Sequence, residues 1–232
     1  MAEPSVIPIQ HLDLRVAPFD WPFARDRRTE IEANFARRQR LAPKLWNGRV
    51  LLMRNVAISA DTLRGDCFET GYADFLAWRD WDFADRSVAN CFSLGALKAS
   101  DGAYLLGVMA AHTAAAGKIY FPGGTPDLAD VRDGRLDLEM SVAREVAEET
   151  GLEDAKLSPG WHAVVDRQYV ALIKAIERPE TADALREKIL RYLGSQDEPE
   201  LADIRIVRSP RDFDPMMPPF MTIYLADAFN RR

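Results

Sequence analysis

Four charged side chains crowd into Arg144–Gly151, which reads REVAEETG. At about 100° per residue on a helix, Glu145, Glu148 and Glu149 fall on one side, while Met140, Val142, Ala143, Val146 and Ala147 occupy the adjoining and opposite sectors. Such a helix has one face to pack and one face of carboxylates. Like charges at three- and four-residue spacing each disfavour a helix by roughly 0.3 kcal/mol, so three carboxylates aimed one way make chemical sense around a cation. Hard oxygen ligands suit Mg²⁺, with Mn²⁺ as the alternative, and not zinc or copper. A solvated acidic face is the competing reading. Gly151 is placed to cap the helix in the left-handed conformation, with Leu152 folding back onto it.

Upstream stands Phe121-Pro122-Gly123-Gly124, a turn whose glycines let the backbone come close to an oxyanion or ligand. With that turn ahead of the acidic helix, the sequence resembles the Nudix hydrolase superfamily (MutT-like). Its signature runs glycine, five residues, glutamate, seven residues, Arg-Glu, an aliphatic, any residue, Glu-Glu, any residue, glycine, aliphatic. Gly124 stands for the first glycine, and Arg144 through Leu152 matches the second half without a gap. NCFSLGALKASDGAYLLGV and KIYFPGG are similar to what precedes the box in that family. One departure is evident. Gly124 and Arg144 stand 20 positions apart (144 − 124), six more than in the signature, and the position counted back from Arg144 for the first glutamate is Leu136. Asp137 and Glu139 are near but lack the family spacing, so Arg144 is left without an assured partner, while the three glutamates are spared.

The resemblance implies an α/β/α sandwich around a mixed sheet and hydrolysis of a nucleoside diphosphate linked to another moiety. It implies that Glu145, Glu148 and Glu149 hold the metal, that Arg144 orients these carboxylates, and that Glu149 is catalytic. The general base comes from this trio or from a later loop. DEPELADIRIV resembles the family's acidic lead into its last strand and nominates Glu200, with Glu198 second. Residues 1–89 exceed a minimal domain of this kind and weakly resemble the extension of UDP-glucose-cleaving Nudix hydrolases, through ARRQRLAPKLWNGRVLLM and FETGYADFLAW. They bring aromatics able to stack on a base (Trp46, Tyr72, Trp78) and arginines able to reach phosphate (Arg49, Arg54), beside Gly123 and Gly124 as substrate-binding backbone. The expected substrate is a UDP-sugar, giving UMP and a sugar 1-phosphate. The alternatives are ADP-ribose or another nucleotide diphosphate derivative, a non-catalytic nucleotide-binding protein, and a phosphatase acting on a monophosphate.

The elements that must position these groups read as mixed α and β, hence an α+β fold: an extension over 1–89 and a catalytic domain over 90–232. Val6–Val16 alternates like an edge strand interrupted by Pro8. Asp20 is placed to cap one helix running to about Leu41, with Pro22 in its first turn and Phe23, Ile31 and Phe35 on its buried side. Strands are expected at LWNGRVLLM and Thr62–Thr70, followed by a short aromatic helix from Tyr72. Two strands should flank the turn Ser100-Asp101-Gly102, and a helix should cover about Asp137–Thr150. A strand pair follows over His162–Ile176. Thr181 caps a helix with Leu185, Ile189 and Leu193 inward, Ile204 begins a late strand, and MTIYLADAF reads as either a closing strand or a short helix.

Composition sets the outer bounds. The chain has 232 residues, 47% hydrophobic and 28% charged, with a formal net charge of −6. That describes an ordinary globular protein with a poor electrostatic footprint for nucleic acid. Cys67 and Cys91 form no ligand spacing and read as two buried thiols rather than a bridge. His11, His112 and His162 likewise form no ligand set. The amino-terminal stretch lacks the apolar run of a signal peptide, and no later stretch is long enough to span a bilayer, so a cytoplasmic protein without a membrane partner is expected. The long extension leaves a homodimer interface open as an alternative to a pocket.

Overall fold

The computed structural model describes residues 5–231, so residues 1–4 of the amino-terminal stretch lie outside the description. The chain begins with β1 (Val6–Ile9) and β2 (His11–Val16), which part at Gln10 and not at Pro8. Pro8 stays inside β1 opposite His162, which a proline can do on an edge strand where its missing N–H faces no neighbour. The single helix expected from Asp20 to Leu41 is two helices, α1 (Pro22–Asp26) and α2 (Arg28–Leu41), broken at Arg27. Asp20 does not cap α1. It pairs with Arg25, and Trp21 takes the cap position without a side-chain bond. Burial of Trp21 turns the chain here, since its indole packs against Phe23, Phe68 and Trp78 and donates to Asp85 at 2.8 Å.

β3 (Arg49–Ser59) and β4 (Thr62–Gly71) form a long hairpin, followed by α3 (Tyr72–Asp80). β5 (Val88–Lys98) and β6 (Tyr104–Met109) flank the expected turn, with Gly102 at φ +84°. The short strands β7 (Ile119–Tyr120), β8 (Gly123–Gly124), β9 (Val131–Arg132) and β10 (Arg135–Leu136) lead into α4 (Leu138–Thr150). β11 (Trp161–Asp166) and β12 (Tyr169–Glu177) are the expected strand pair. Next comes α5 (Ala182–Leu193), capped by Thr181 as expected, then β13 (Leu201–Val207) and α6 (Pro219–Asn230). The ambiguous closing segment is therefore a helix, started by Pro219 in its first turn.

β5 is the spine. It runs parallel to β12 from Asn90 to Lys98, meets β3 at its first residues (Ala89 with Met53, Val88 with Arg54), and pairs with β6 at its end. β11 and β1 continue the sheet beyond β12, while β4, β2, β10 and β9 continue it beyond β3. Alternate β5 residues face opposite layers, as the two-residue period of a strand requires. Cys91 and Leu97 join the core beneath α4 and α5, whereas Phe92, Leu94 and Ala96 join the core beneath α6. The result is a mixed sheet between helical layers, the α+β class expected.

A third cluster, aromatic in character, fills the space between α1–α3 and the β3–β4 hairpin, with Trp78 fully buried at its centre. Of the aromatics able to stack on a base, Trp78 is a core residue: its ring packs on Trp21, Phe75 and Phe83, and its N–H donates to the Asp85 carbonyl at 2.8 Å. Cys67 and Cys91 are free and buried, as expected. Among the described residues no helix is long and apolar enough to cross a membrane.

Candidate functional site

α4 carries the acidic cluster. Its first turn is capped by Asp137, whose carboxylate accepts from the Met140 N–H at 3.0 Å, and its last by Gly151 at φ +71°. Val142 and Val146 are fully buried against the sheet. That packing fixes the helix's rotation and turns Arg144, Glu145, Glu148 and Glu149 toward the loop that follows β7.

Glu149 is buried, and one oxygen accepts from the Gly123 N–H at 3.1 Å. Gly123 reaches that position only as glycine. Its φ is +142°, and a Cβ there would lie 2.1 Å from the Ser93 carbonyl oxygen of β5. The other carboxylate oxygen of Glu149 is buried with no hydrogen-bond partner. Glu145 lies across from Gly124, 3.7 Å from where its Cβ would be. Burial pushes the Glu145 carboxyl up to about 7; Arg144 opposes the shift, and the charges of Glu148, Asp130 and Glu200 add to it. Burial also pushes Glu149 well above the usual carboxylate range, helped by Glu145 and opposed by the Gly123 N–H.

Arg144 is not left alone. One arm of its guanidinium donates to Asp130 at 3.0 Å, and the other lies 3.0 Å from Glu145 and 3.1 Å from Glu148. Desolvation, which lowers the guanidinium pKa, is outweighed by the Asp130 bond and these neighbouring carboxylates, so Arg144 is held charged more firmly than usual. Asp130 is fully buried, and its second oxygen accepts from the Asp127 N–H at 3.1 Å. The expectation built on Leu136 is corrected here. Leu136 is a buried core residue of β10, while Asp130 occupies the sixth position after Gly124, as the signature's glutamate does. The six extra residues follow that carboxylate, forming the β9–β10 turn that docks onto β2 through Arg135 and Arg15. Counting forward from Gly124 would have found Asp130. Asp137 and Glu139 have other roles, as the α4 cap and as the ion-pair partner of buried Lys174.

Glu200 lies just before β13, its carbonyl accepting from the Ala110 N–H at 2.8 Å. Its carboxylate acts electrostatically on both Glu145 and Glu149, so the three negative charges lie near one another. Glu198 is exposed and paired with Lys44. Of the two arginines singled out in the extension, Arg49 lies on the same strand as Leu51, whose N–H donates to the Pro126 carbonyl at 2.8 Å, and it is paired with Glu69 at 2.9 Å. Arg54 lies elsewhere. It faces Val88, five residues along β5 from Ser93, the partner of Gly124, or about 16 Å, and its guanidinium covers the Phe19 ring at 4.2 Å. Trp46 is 79% exposed, in the loop tied down by the Lys44–Glu198 pair, and Tyr72 is half-buried.

Among the described residues no three acidic, histidine or cysteine side chains close on a single point as a ready metal cage. Mg²⁺ does not need one, since it keeps several waters and is commonly held by one or two carboxylates together with substrate phosphates. The buried, partnerless oxygen of Glu149 and the upward-shifted carboxyls of Glu145 and Glu149 fit a hard divalent cation. Each marks negative charge that the protein alone leaves uncompensated.

No family model and no curated protein matches the sequence. Among solved structures the chain is similar to the Nudix hydrolase RenU from M. smegmatis, at 16% identity over 61% of this chain and 83% of that one, with a TM-score of 0.38. It is similar to the MutT protein from Methanosarcina mazei Go1, at 17% identity over 62% and 94% of the two chains, with a TM-score of 0.41. It is also similar to Tm1382, described as a Nudix hydrolase, at 14% identity over 80% and 100%, with a TM-score of 0.46. Likeness at these levels assigns no activity to this chain.

Proposed function

We propose that this protein is a divalent-metal-dependent hydrolase of the Nudix type that cleaves a nucleoside diphosphate linked to another moiety. Mg²⁺ is the expected cation, with Mn²⁺ as the alternative. The observation that carries the reading is the Glu149 carboxylate: one oxygen is held by the Gly123 N–H, and the other is buried and partnerless beside Glu145. A purely structural acidic face gives no reason to bury such an oxygen.

In this reading Glu145, Glu148 and Glu149 hold the metal. When bound, the cation supplies neutralisation of the diphosphate charge and a lowered pKa for the attacking water. The Gly123 N–H fixes the aim of Glu149, and Gly124 leaves room for a phosphoryl oxygen to approach Glu145. Arg144, anchored by Asp130, holds Glu145 and Glu148 in place. Glu200 is the favoured acceptor of the water's proton, because its charge acts on Glu145 and Glu149 and it has no cationic partner of its own among the described residues, whereas Glu198 is engaged with Lys44. Water attacks one phosphorus, the anhydride P–O bond breaks, and the two monophosphate products leave.

The preferred substrate is a UDP-sugar, giving UMP and a sugar 1-phosphate, with residues 1–89 contributing the pocket for the nucleoside or sugar and Trp46 available to stack on a base. ADP-ribose is the alternative within the same reaction. Phosphorus NMR of UDP-glucose incubated with the protein tests this directly. Appearance of UMP and glucose 1-phosphate with Mg²⁺, but not with excess chelator, is the expected result. An unchanged spectrum with UDP-glucose and with ADP-ribose would remove the hydrolase reading.

A further inference from the structure

Three glutamates near the carboxyl-terminal end of a helix oppose the helix dipole as well as one another. In α4, Glu145, Glu148 and Glu149 all stand in the closing stretch before Gly151, and the last turn carries no basic side chain. The carbonyls there also run out of partners within the helix, since the last four of any helix have none. Ala147 still accepts from the Gly151 N–H at 2.8 Å. Beyond it Gly151, at φ +71°, bends the chain away from the helix axis.

The Glu148 carbonyl is met from outside the helix. α5 ends beside it: the Tyr192 hydroxyl donates to that oxygen at 3.1 Å, and the Gln196 side-chain amide donates to it at 3.4 Å. The Tyr192 ring continues the contact onto Gly151, where a Cβ would lie 2.6 Å from the ring, so the ring comes this close only against a bare glycine. The carbon of the same carbonyl is bonded to the Glu149 nitrogen, and one peptide plane therefore joins the two glutamates. Their side chains are held at the other ends. The Glu148 carboxylate lies 3.1 Å from Arg144, and the Glu149 carboxylate accepts from the Gly123 N–H at 3.1 Å.

We infer that Tyr192, assisted by Gln196, is a positioning residue for the metal-holding end of α4: its hydroxyl fixes the peptide between Glu148 and Glu149, and through it the aim of both carboxylates. This rests on the metal site of the hydrolase reading given above. Two donors on one terminal carbonyl supply the partial positive charge that a lysine or arginine in the last turn would otherwise give. They do so without setting a full positive charge beside the glutamates, where it would compete with the cation. Helix ends fray, whereas ligands must be held within about 0.5 Å of their working geometry. A last turn tied to α5 meets that demand.

The test is Mn²⁺ binding to the chelator-treated full-length protein, followed by the electron paramagnetic resonance of the free ion, in the parent and in its Tyr192→Phe, Tyr192→Phe/Gln196→Ala and Ser195→Ala variants. Tyr192→Phe keeps the ring on Gly151 and removes only the hydroxyl. Ser195→Ala is the control, because the Ser195 hydroxyl donates to the Tyr192 carbonyl at 2.7 Å and not to α4. Removing a group that orients metal ligands weakens metal binding by about 10- to 100-fold. The double variant should fall at the lower end of that range, Tyr192→Phe between it and the parent, and Ser195→Ala with the parent. Metal-free melting of Tyr192→Phe should drop by no more than about 4 °C, the share of one hydrogen bond. In hydrolysis of UDP-glucose the Mg²⁺ needed for half-maximal rate should rise in step, with the rate recovered at saturating Mg²⁺. Parental Mn²⁺ affinity in the double variant, whatever its melting temperature, overturns the positioning role and leaves the hydrolase reading intact. Weakened Mn²⁺ binding in the variants of a parent that hydrolyses neither UDP-glucose nor ADP-ribose keeps the positioning role and overturns the hydrolase reading. A parent that binds no Mn²⁺ overturns both.

Discussion

The Arg144 guanidinium donates to the fully buried carboxylate of Asp130 at 3.0 Å, joining the acidic helix to the loop that begins at Gly124. Asp130 stands six positions after Gly124, with a side chain one methylene shorter than a glutamate's. The Leu128–Asp130 turn, capped by Asp127, brings the shorter carboxylate within reach. Replacing Asp130 by Ala strands Arg144 among its remaining partners. The guanidinium is about one-third exposed, so solvent screens part of the loss, and a destabilisation of about 2 kcal/mol is expected in urea unfolding. Turnover should fall about 10- to 100-fold, as it does when a group that orients metal ligands is removed, and Asp130→Glu should restore part of it.

Glu149→Gln separates chemistry from folding. Its carboxylate is already disfavoured by burial, so the amide should leave metal-free stability equal or slightly higher in thermal unfolding. Activity with Mg²⁺ should drop by at least about 100-fold. Near-parental turnover would remove Glu149 from the metal site.

The pH dependence of the metal-free protein follows from Glu145. Its carboxyl is raised by burial from 4.5 to about 7, so the fold keeps a proton that the unfolded chain releases. The associated stability is fully present below about pH 4.5 and is lost as the pH rises to about 7, by up to about 3 kcal/mol. Glu149 shifts in the same direction. Chelator-treated protein should therefore lose stability across that window in urea titrations, and Glu145→Gln should flatten the curve. Added Mg²⁺ should restore stability at pH 8, where it replaces the proton.

The β9–β10 turn is held to β2 by Asp13, which accepts from Arg135 at 2.7 Å and faces Arg15 and Arg64. Asp13→Ala should leave the melting temperature close to the parental value, because these pairs are solvent-exposed. Amide exchange at residues 131–136 should quicken, with a modest loss of activity through the neighbouring Asp130. Unchanged exchange would show that strand pairing alone secures the turn.

Much of this arrangement was legible in the sequence. The two strands around Ser100-Asp101-Gly102, the Thr181 cap and the i, i+4 apolar ladder of α5 are local signals that tertiary context left alone. The same holds for the valines of α4, whose burial turns the glutamates toward the loop that follows β7. Asp130 was missed because an insertion has no marked position: counting back from Arg144 lands on Leu136, while counting forward from Gly124 lands on the carboxylate. Trp78 stayed open between core and ligand because a helix rich in aromatics looks the same whether its rings face a ligand or one another. The break at Arg27 depends on where Trp21 is buried, which only distant residues such as Phe68 and Asp85 decide.

The pairing of β1 bears on how the chain is made. Val6 finds its strand partner at Val164, on the far side of the molecule's sequence. At roughly 5–20 residues per second, a ribosome needs on the order of ten seconds or more to deliver that partner after the first strand emerges. The β3–β4 hairpin and its aromatic cluster draw on residues before 90 and can assemble early, whereas β1 waits, with its hydrogen-bonding edge open. Non-local pairing of this kind slows folding and exposes nascent strands to wrong partners. Pro8, which withholds a donor from the opposite edge of β1, makes the waiting strand a poorer template for aggregation.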